Sequence, residues 1–355
     1  MRVAIVGGGV MGCATALVLA ARGAEVVVLE RAVPGAEASS AAAGILGAQV
    51  ELHRRDEDAQ RFVRARDAWA SWARELREAS GIDVGHRVSG VLRVTRDERD
   101  RETLALEVAW QRERGLRAEL LDGRAARTVE PQVAPDVVAA AHFPDDAQVD
   151  PPALLRALMT ALARAPGVVV RSGTSVERLL VEHDRCVGVD LGADGELRAD
   201  ASVLAAGSWS SLVPGLPAKL PVVRPVRGQI VLLDERPPRV RSIVFGLSGY
   251  VVPRGDGRVV CGSTMEHVGF RREVTAAGVH AILDAALACV PSLGEAQLAG
   301  TWSNFRPHVD GDRALVGASP LPGLFLATGH HRNGILLAKV TADEVTRAVL
   351  YGLKS

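Results

Sequence analysis

The sequence predicts an α/β fold with a second, β-rich α+β domain interleaved in it. Glycine-rich turns follow apolar, strand-like runs at residues 7–12, 205–209 and 329–334, and short strand-like segments lie between these turns. We therefore expect two domains, each assembled from separate stretches of chain. The first is expected to consist of residues 1–84, 145–213 and 303–355, and the second of residues 85–144 and 214–302.

The first thirty residues predict a βαβ unit. The apolar run Val3–Val6 predicts a buried strand, residues 13–22 a helix, and residues 25–29 a second buried strand. The glycines between the first strand and the helix match G-x-G-x-x-G, the fingerprint of Rossmann-type dinucleotide-binding domains, where backbone must approach pyrophosphate closely. Glu30 closes the second strand and is placed to accept hydrogen bonds from ribose hydroxyls. These residues do not distinguish FAD from NAD.

A run of small residues at positions 39–49 follows the second strand. Small side chains let the backbone come close to a flat ring system or to phosphate. A tightly packed helix or turn explains the same composition equally well, so this run alone leaves both interpretations open.

Two later segments repeat the pattern of a small-residue turn. Residues 203–209 run from a strand into such a turn, and Gly329–Gly334 opens a helix predicted over residues 335–351. The N-terminus of that helix would face whatever lies at the glycines. If this is the pyrimidine edge of a flavin, the helix dipole would stabilise the anionic reduced ring.

The remaining elements follow from periodicity and turn residues. Helices are predicted over residues 58–79, 97–114 and 150–165, and strands over residues 85–95, 137–143, 167–171, 176–181, 222–233, 249–252 and 258–262. The apolar stripe of the first helix, which includes Trp69 and Trp72, predicts core packing rather than an aromatic ligand box. Asp150 is predicted as the N-cap of the third helix.

Composition excludes several classes of protein. The 355 residues include 42 basic and 42 acidic side chains, so no broad basic face is expected to hold nucleic acid or an anionic membrane. Four widely separated cysteines indicate neither a disulfide framework nor a zinc site. We expect no metal, no targeting segment, no membrane span and a cytoplasmic location.

Several segments taken together resemble the D-amino-acid oxidase (DAO) family of flavoproteins, and within it the glycine oxidase branch, the ThiO type of thiamin biosynthesis. They are Gly7–Gly12 with Glu30, then residues 40–49, 203–209 and 250–254, Phe305–Pro307 with Asp310 and Gly311, and residues 329–337. The similarity spans nearly the whole chain. It implies a Rossmann-type FAD-binding domain interleaved with the β-rich substrate domain.

The resemblance implies FAD as the cofactor. Together with the glycine motif it assigns cofactor contacts to Gly7, Gly9, Val10, Met11, Gly12, Glu30, Arg31, Ser39, Ser40, Ala43, Gly44, Ile45, Val176, Gly207, Trp209, His330, His331, Arg332, Asn333, Gly334, Ile335 and Leu336. The related sarcosine oxidases attach flavin through a cysteine in the C-terminal third. Cys289 is the only cysteine there and precedes the Phe305–Pro307 segment, so we predict non-covalent FAD.

The resemblance also implies a substrate site. An amino-acid substrate needs a carboxylate clamp, which a guanidinium provides through two parallel hydrogen bonds. An arginine at the position of Arg306 pairs with the carboxylate in the resembling oxidases, the hydroxyl of Tyr250 would donate to it, and Arg332 would lie at the substrate end. On the sequence alone, Arg306 would be interpreted as a surface arginine and Tyr250 as a half-buried sheet residue.

The activity implied is oxidation of glycine or a small amino acid by hydride transfer to flavin N5, giving an imine, then glyoxylate and ammonia, with hydrogen peroxide from dioxygen. Neither His330 nor His331 is predicted as a general base. A homo-oligomer, with a tetramer favoured, is implied by relatives.

Three departures from the family pattern bear on the substrate. Ser248 lies where a histidine is known shortly before the tyrosine, His331 replaces an aromatic ring, and Lys339 stands where proline is common. Two alternatives therefore stay open: an oxidase or dehydrogenase of sarcosine, D-proline or another D- or N-alkyl amino acid, and a flavin-binding subunit without turnover.

Overall fold

The computed structural model describes residues 1–52 and 59–352. Its strands are β1 (Arg2–Val6), β2 (Glu25–Glu30), β3 (Ile45–Leu46), β4 (Arg87–Val88), β5 (Val91–Thr95), β6 (Glu119–Asp122), β7 (Ala139–Phe143), β8 (Ala147–Gln148), β9 (Val168–Ser172), β10 (Arg178–Glu182), β11 (Arg185–Asp190), β12 (Glu196–Arg198), β13 (Ala201–Leu204), β14 (Val223–Asp234), β15 (Ile243–Phe245), β16 (Tyr250–Pro253), β17 (Arg258–Gly262), β18 (Gln297–Val309), β19 (Leu315–Ala318) and β20 (Leu324–Thr328).

The helices pack around these strands. They are α1 (Val10–Ala20), α2 (Ala38–Ala41), α3 (Ala59–Ser80), α4 (Glu98–Arg112), α5 (Gly123–Val129), α6 (Pro151–Arg164), α7 (Ala276–Cys289) and α8 (Gly334–Gly352). In the described part of the chain, none of them is both long and apolar enough to cross a bilayer.

A six-stranded sheet carries the glycine-rich turns. Its order is β19-β20-β13-β1-β2-β9, with every pair parallel except β19 and β20. Alternate residues of β1 and β2 enter opposite cores, as the two-residue period of a strand requires. Val3 and Ile5 pack under helices α1, α3, α6 and α8, whereas Ala4 and Val6 face strands β10 to β12. Both faces of the sheet are therefore buried, which explains its nearly continuous apolar strands.

An eight-stranded mixed sheet forms the second half of the architecture. Its order is β18-β14-β17-β16-β15-β5-β7-β6. The long antiparallel pair of β14 and β18 places Val226 opposite Arg306, and the hairpin of β16 and β17 places Tyr250 opposite Gly262. Helix α7 covers one face and α4 the other. Together the two sheets confirm the predicted α/β fold with an interleaved β-rich part.

The aromatic stripe of α3 is confirmed as core packing. Trp69 and Trp72 are buried with their ring centroids 4.6 Å apart, and Leu76 is buried one turn further on. The indole N–H of Trp69 donates to the carbonyl of Leu336 at 3.0 Å, which ties α3 to the start of α8. Residue 58, where this helix was predicted to begin, lies outside the described residues.

The structure differs locally from the sequence prediction. The strand predicted over residues 85–95 is divided into β4 and β5 at Gly90, whose φ is 66°. Val176 precedes β10 instead of starting it. Asp150 stands at the N-cap of α6, but its side chain caps no backbone N–H and instead accepts a hydrogen bond from Arg258 at 2.7 Å. Asp150 therefore forms an ion pair with a residue of β17 instead of capping its own helix.

The segment joining the two sheets is held by a buried polar network around Asp146. This fully buried carboxylate accepts from the backbone N–H groups of Gln49 at 3.1 Å and Val50 at 3.0 Å, and Arg66 lies 3.4 Å away. The side chain of Gln49 donates to Gln111 at 2.9 Å. Burial raises the pKa of Asp146 to about 7, opposed by these hydrogen bonds and by Arg66. The network fixes the chain just before Glu51.

We predict that Trp69→Ala destabilises the fold by roughly 3–5 kcal/mol, because it leaves a large cavity and removes the hydrogen bond to Leu336. Trp110→Ala is the matched control, since this indole on α4 is only partly buried. Urea denaturation monitored by far-UV circular dichroism measures both. Equal shifts of the two midpoints would contradict the role given to the α3 stripe.

Candidate functional site

A cavity of 460 Å³ lies where the glycine-rich turns of the six-stranded sheet meet β14, β16 and β18. The carboxyl ends of β1 and β13 open into it, the position at which open α/β sheets bind ligands. Most of the residues predicted to contact cofactor or substrate line this cavity: Gly7, Gly9, Val10, Met11, Glu30, Arg31, Ser39, Ala43, Gly44, Ile45, Val176, Gly207, Trp209, Tyr250, Arg306, His330, His331, Arg332, Asn333, Gly334 and Ile335.

Three predicted cofactor residues lie outside the lining. Gly12 packs the first helical turn onto the glycine loop, because a Cβ there would stand 2.0 Å from the carbonyl oxygen of Gly7. Ser40 lies against a separate groove near Trp302. Leu336 is buried in the helical core, where its carbonyl accepts from Trp69.

The first glycine turn is shaped by close backbone contact. Gly7 has φ of 112°, and a Cβ at this position would lie 2.4 Å from the carbonyl oxygen of Ala205. The first two glycine-rich turns therefore touch through backbone alone. The helix α1 begins at Val10, so the N–H groups of its first turn have no acceptor within the helix. The N–H of Val10 donates to Ser39, and the positive end of the helix dipole lies at the cavity wall, which Gly9, Val10 and Met11 line.

Glu30 is a buried carboxylate at the end of β2. Its Oε2 accepts from the N–H of Gly8 at 2.9 Å and its Oε1 from the N–H of Ala32 at 3.0 Å. These two backbone bonds fix the carboxylate at the cavity wall, where the sequence places a ribose-binding acid.

The small residues after β2 pack against the backbone on both sides. The hydroxyl of Ser39 accepts from the N–H of Val10 at 2.9 Å, which joins this run to the start of α1. Gly44 has φ of 73°, and a Cβ there would lie 2.1 Å from the carbonyl oxygen of Val149. The carbonyl of Ala43 accepts from the buried guanidinium of Arg254 at 2.5 Å. Residues 39, 41–45 and 47 of this run line the cavity, so of the two interpretations close approach to a cavity describes these positions.

One end of the cavity is closed by stacked aromatic and guanidinium groups. The guanidinium carbon of Arg31 lies 3.9 Å from the centroid of the Trp209 ring, and Phe270 stacks on the same ring at 5.1 Å. Glu37 pairs with Arg31 at 2.9 Å and with Arg272. The sequence prediction missed Glu37, Phe270 and Arg272, because nothing in the local pattern marks them and only the fold brings them to Trp209.

Two neutral histidines begin the third glycine-rich turn. Nε2 of His330 hydrogen-bonds with Thr341 at 3.0 Å, while its buried Nδ1 has no partner among the described residues. Burial lowers the pKa of His330 to about 3 and that of His331 to about 4, against the opposing effect of Asp312 on His331. Both imidazoles are therefore weak proton acceptors at neutral pH, in line with the prediction that neither is a general base.

Arg306 lies across the backbone of β14, against Gly228. Its guanidinium donates to the hydroxyl of Ser263 at 2.5 Å and to the carbonyl of Thr264 at 3.1 Å. Space for it exists only because residue 228 is glycine: a Cβ there would lie 2.3 to 2.5 Å from the guanidinium. Burial lowers the pKa of Arg306, and the phenol of Tyr250 opposes that shift at close range.

Arg332 is held by an acid that the sequence prediction missed. Its guanidinium donates to a carboxylate oxygen of Glu51 at 2.7 Å, and both residues line the cavity. Among the described residues, Arg306 has no carboxylate within ion-pair distance. Among these residues, the charge of Arg332 is therefore neutralised, whereas that of Arg306 is not. An acid two residues after the small-residue run was the signal that could have identified Glu51.

The cavity fits a flavin dinucleotide. The glycine turn leaves no room for a Cβ at residue 7, and the N-terminus of α1 suits a diphosphate. The buried Nδ1 of His330, which lacks a partner among the described residues, could hydrogen-bond with a polar atom of the cofactor. The small residues 43–45 and the third turn both line the cavity.

Comparison with known proteins agrees with this geometry. The model of the DAO family, described as FAD dependent oxidoreductase, matches residues 2–348. Glycine oxidase of Geobacillus kaustophilus is 35% identical over 352 residues, which covers 97% of this chain and 93% of that protein. The crystal structure of glycine oxidase from Geobacillus kaustophilus superposes with a TM-score of 0.92 at 34% identity, covering 99% of this chain and 95% of that one.

Longer relatives are matched over part of their length. The bifunctional protein ThiO/ThiG of Nostoc sp. is 35% identical over 344 residues, 96% of this chain but 51% of that protein. The chain thus spans about half the length of these bifunctional relatives. A family model that matches nearly every residue, together with the fold and the dinucleotide cavity, leads to one conclusion: the chain belongs to the DAO family of FAD-dependent oxidoreductases.

Proposed function

We propose that this protein oxidises glycine, or another small amino acid with one carboxylate, to the imine, which water hydrolyses to glyoxylate and ammonia. The observation that carries this proposal is the guanidinium of Arg306 beside Tyr250, at one end of a cavity suited to FAD, with no carboxylate of residues 1–52 or 59–352 within ion-pair distance. Two relatives that match almost the whole chain are named glycine oxidase, which supports the same substrate.

Charge in the substrate end favours a single carboxylate. Within the described ranges, Glu51 offsets the charge of Arg332, so the guanidinium of Arg306 is the one left to attract an anion at this end. A substrate with two carboxylates would bring one charge more than these described residues neutralise. Partial burial strengthens the attraction, because the field of Arg306 is screened less there than at a solvent-exposed surface.

Different residues of the cavity would bind the cofactor and position the substrate. Glu30 and the first turn of α1 would hold the ribose and diphosphate, residues 43–45 and 330–335 the ring system, and Arg306 with Tyr250 the substrate carboxylate. FAD, when bound, accepts the two electrons and the hydrogen of the substrate Cα–H bond and passes the electrons to dioxygen, which gives hydrogen peroxide. The protein supplies orientation and exclusion of water.

We propose that FAD is bound non-covalently, and the position of Cys289 supports this. This buried thiol packs beneath the eight-stranded sheet, where a Cβ on Gly246 would lie 2.5 Å from its sulfur, and it does not line the cavity. We also place residues 1–84, 145–213 and 303–355 in the FAD domain and the rest in a substrate domain. Strand β18 crosses the boundary at residue 303 and connects the two parts.

The cellular setting is part of the proposal. We propose a cytoplasmic homo-oligomer, with a tetramer favoured, that supplies the glycine-derived imine for thiazole formation in thiamin biosynthesis. The support is the resemblance to the ThiO type and the match to bifunctional ThiO/ThiG proteins.

We predict that the purified yellow protein is bleached by glycine in the absence of oxygen and recovers its colour when air is admitted. The visible spectrum before and after addition measures this. Sarcosine and D-proline are the amines for comparison. Much faster bleaching by D-proline than by glycine would show that the proposed substrate is wrong. A spectrum unchanged by every amine would instead indicate a flavin-binding subunit without turnover.

We predict that Arg306→Ala lowers kcat/KM for glycine by a factor corresponding to roughly 2–5 kcal/mol, because it removes a partly buried, charge-assisted pair with the carboxylate. Steady-state oxygen consumption measures the effect. Arg198→Ala is the control, since this exposed arginine lies on β12, outside the cavity lining. Equal kcat/KM values for the two variants would show that the clamp lies elsewhere.

We predict that Gly228→Ala impairs the site without removing any functional side chain. Its Cβ would occupy the space of the Arg306 guanidinium, so KM for glycine should rise at least tenfold while the FAD spectrum is retained. Gly300→Ala is a matched change on the partner strand β18, where a Cβ meets nothing within 4 Å. The position of Arg306 would need revision if both variants kept the parental KM.

A further inference from the structure

A cluster of two imidazoles and one carboxylate lies beside the proposed substrate end. It consists of His308 near the end of β18, Asp312 in the following turn and His331 in the third glycine-rich turn. One ligand atom from each residue lies within 4.8 Å of the other two. We propose that these three side chains form a binding site for a divalent transition-metal ion of the zinc class.

The separations within the cluster match those around a metal. Nδ1 of His308 lies 3.2 Å and Nδ1 of His331 lies 3.1 Å from the same carboxylate oxygen of Asp312. Ligand atoms at about 2.1 Å from a tetrahedral zinc ion stand on the order of 3.4 Å apart. Because the three ligand atoms all lie within 4.8 Å of one another, a small shift of the side chains would let all three bind one ion.

Hydrogen bonding leaves part of the cluster unsatisfied. Nδ1 of His308 is buried and faces Asp312, but its geometry makes no hydrogen bond and the described residues offer it no other partner. A buried polar atom without a partner costs free energy, and coordination to a metal would remove that cost. The rings of His308 and His331 already lie 4.9 Å apart.

The ligand types indicate the kind of ion. Imidazole nitrogen with one carboxylate suits zinc, nickel, cobalt or copper ions, whereas magnesium and calcium prefer oxygen ligands. Asp312 is largely exposed, so an ion can reach the site from solvent. Asp310 lies 3.8 Å from the other nitrogen of His308, and it also pairs with Arg224 at 2.6 Å.

The sequence pattern gives no hint of this site. Its members are 4 and 19 residues apart, which matches no short metal-ligand motif, and His331 stands where the family resemblance leads one to expect an aromatic ring. A bound ion would link the end of β18, which carries Arg306, to the turn that carries Arg332. The inference does not depend on which amine is oxidised.

Direct binding of Zn²⁺ to the FAD-loaded protein tests the proposal. After metal removal by a chelator, competition with a chromophoric indicator should show one Zn²⁺ per chain with a Kd in the micromolar range or tighter. His331→Phe and Asp312→Asn should each weaken binding at least tenfold, since each removes one of three ligands. Phenylalanine retains a ring at residue 331, and asparagine tolerates the φ of 56° at residue 312.

The matched control is His142→Gln. His142 pairs with Glu119 at 3.3 Å but belongs to no group of three possible ligands in the part of the chain that the structure describes, so this variant should bind Zn²⁺ as the parent does. Absence of saturable binding to the parent overturns the proposal. So does unchanged affinity in both Asp312→Asn and His331→Phe, or sulfur in the X-ray absorption spectrum of bound zinc, which would assign the ion to a cysteine.

Discussion

Close backbone contact at the first glycine turn is the constraint on which the rest of the site depends. The Cα of Gly7 approaches the carbonyl of Ala205 so closely that no Cβ can lie between them, and Gly12 in turn packs against Gly7. These contacts bring the ends of β1 and β13 and the start of α1 to one point. Because neighbouring parallel strands end at the same edge, the third turn after β20 is brought there as well.

A second consequence of this arrangement is the distribution of charge. The eight-stranded sheet meets the dinucleotide cavity through β14 and β18, and Gly228 lets the guanidinium of Arg306 lie flat on that pair of strands. Glu51 lies on a segment that the buried Asp146 network holds in place, and it neutralises Arg332. The proposed selectivity for one carboxylate thus depends on a balance of charges contributed by distant parts of the chain.

Burial also explains why the histidines of the third turn differ from typical surface histidines. His330 is enclosed by α8 and hydrogen-bonds with Thr341, so its imidazole stays neutral. His331 has φ of 46°, a conformation uncommon for residues other than glycine, and this turns its ring toward Asp312 and His308. The same turn therefore presents one histidine to the core and one to a polar cluster at the rim of the cavity.

The sequence by itself determined the elements whose signals are local. The βαβ unit, the aromatic stripe of α3, the hairpin of β16 and β17 and the final helix α8 follow from apolar periodicity and glycine positions, because strand and helix periods are set by the backbone. The three glycine-rich turns, and through the family resemblance Arg306 and Tyr250, were also identifiable from sequence. The helices α5 and α7 were not predicted, since their apolar residues give no sharp amphipathic pattern.

Tertiary structure decided which residues meet. Glu51 and Arg332 are 281 positions apart, Arg31 stacks on Trp209, and His308 approaches His331 across a turn. The side chain of Asp150 pairs with Arg258 instead of capping α6, because this oppositely charged side chain lies within hydrogen-bonding distance. Such pairings depend on distances in space, which the order of residues along one chain does not encode locally. The sequence indicated the dinucleotide cavity, but only the packing of the two sheets determined its charge.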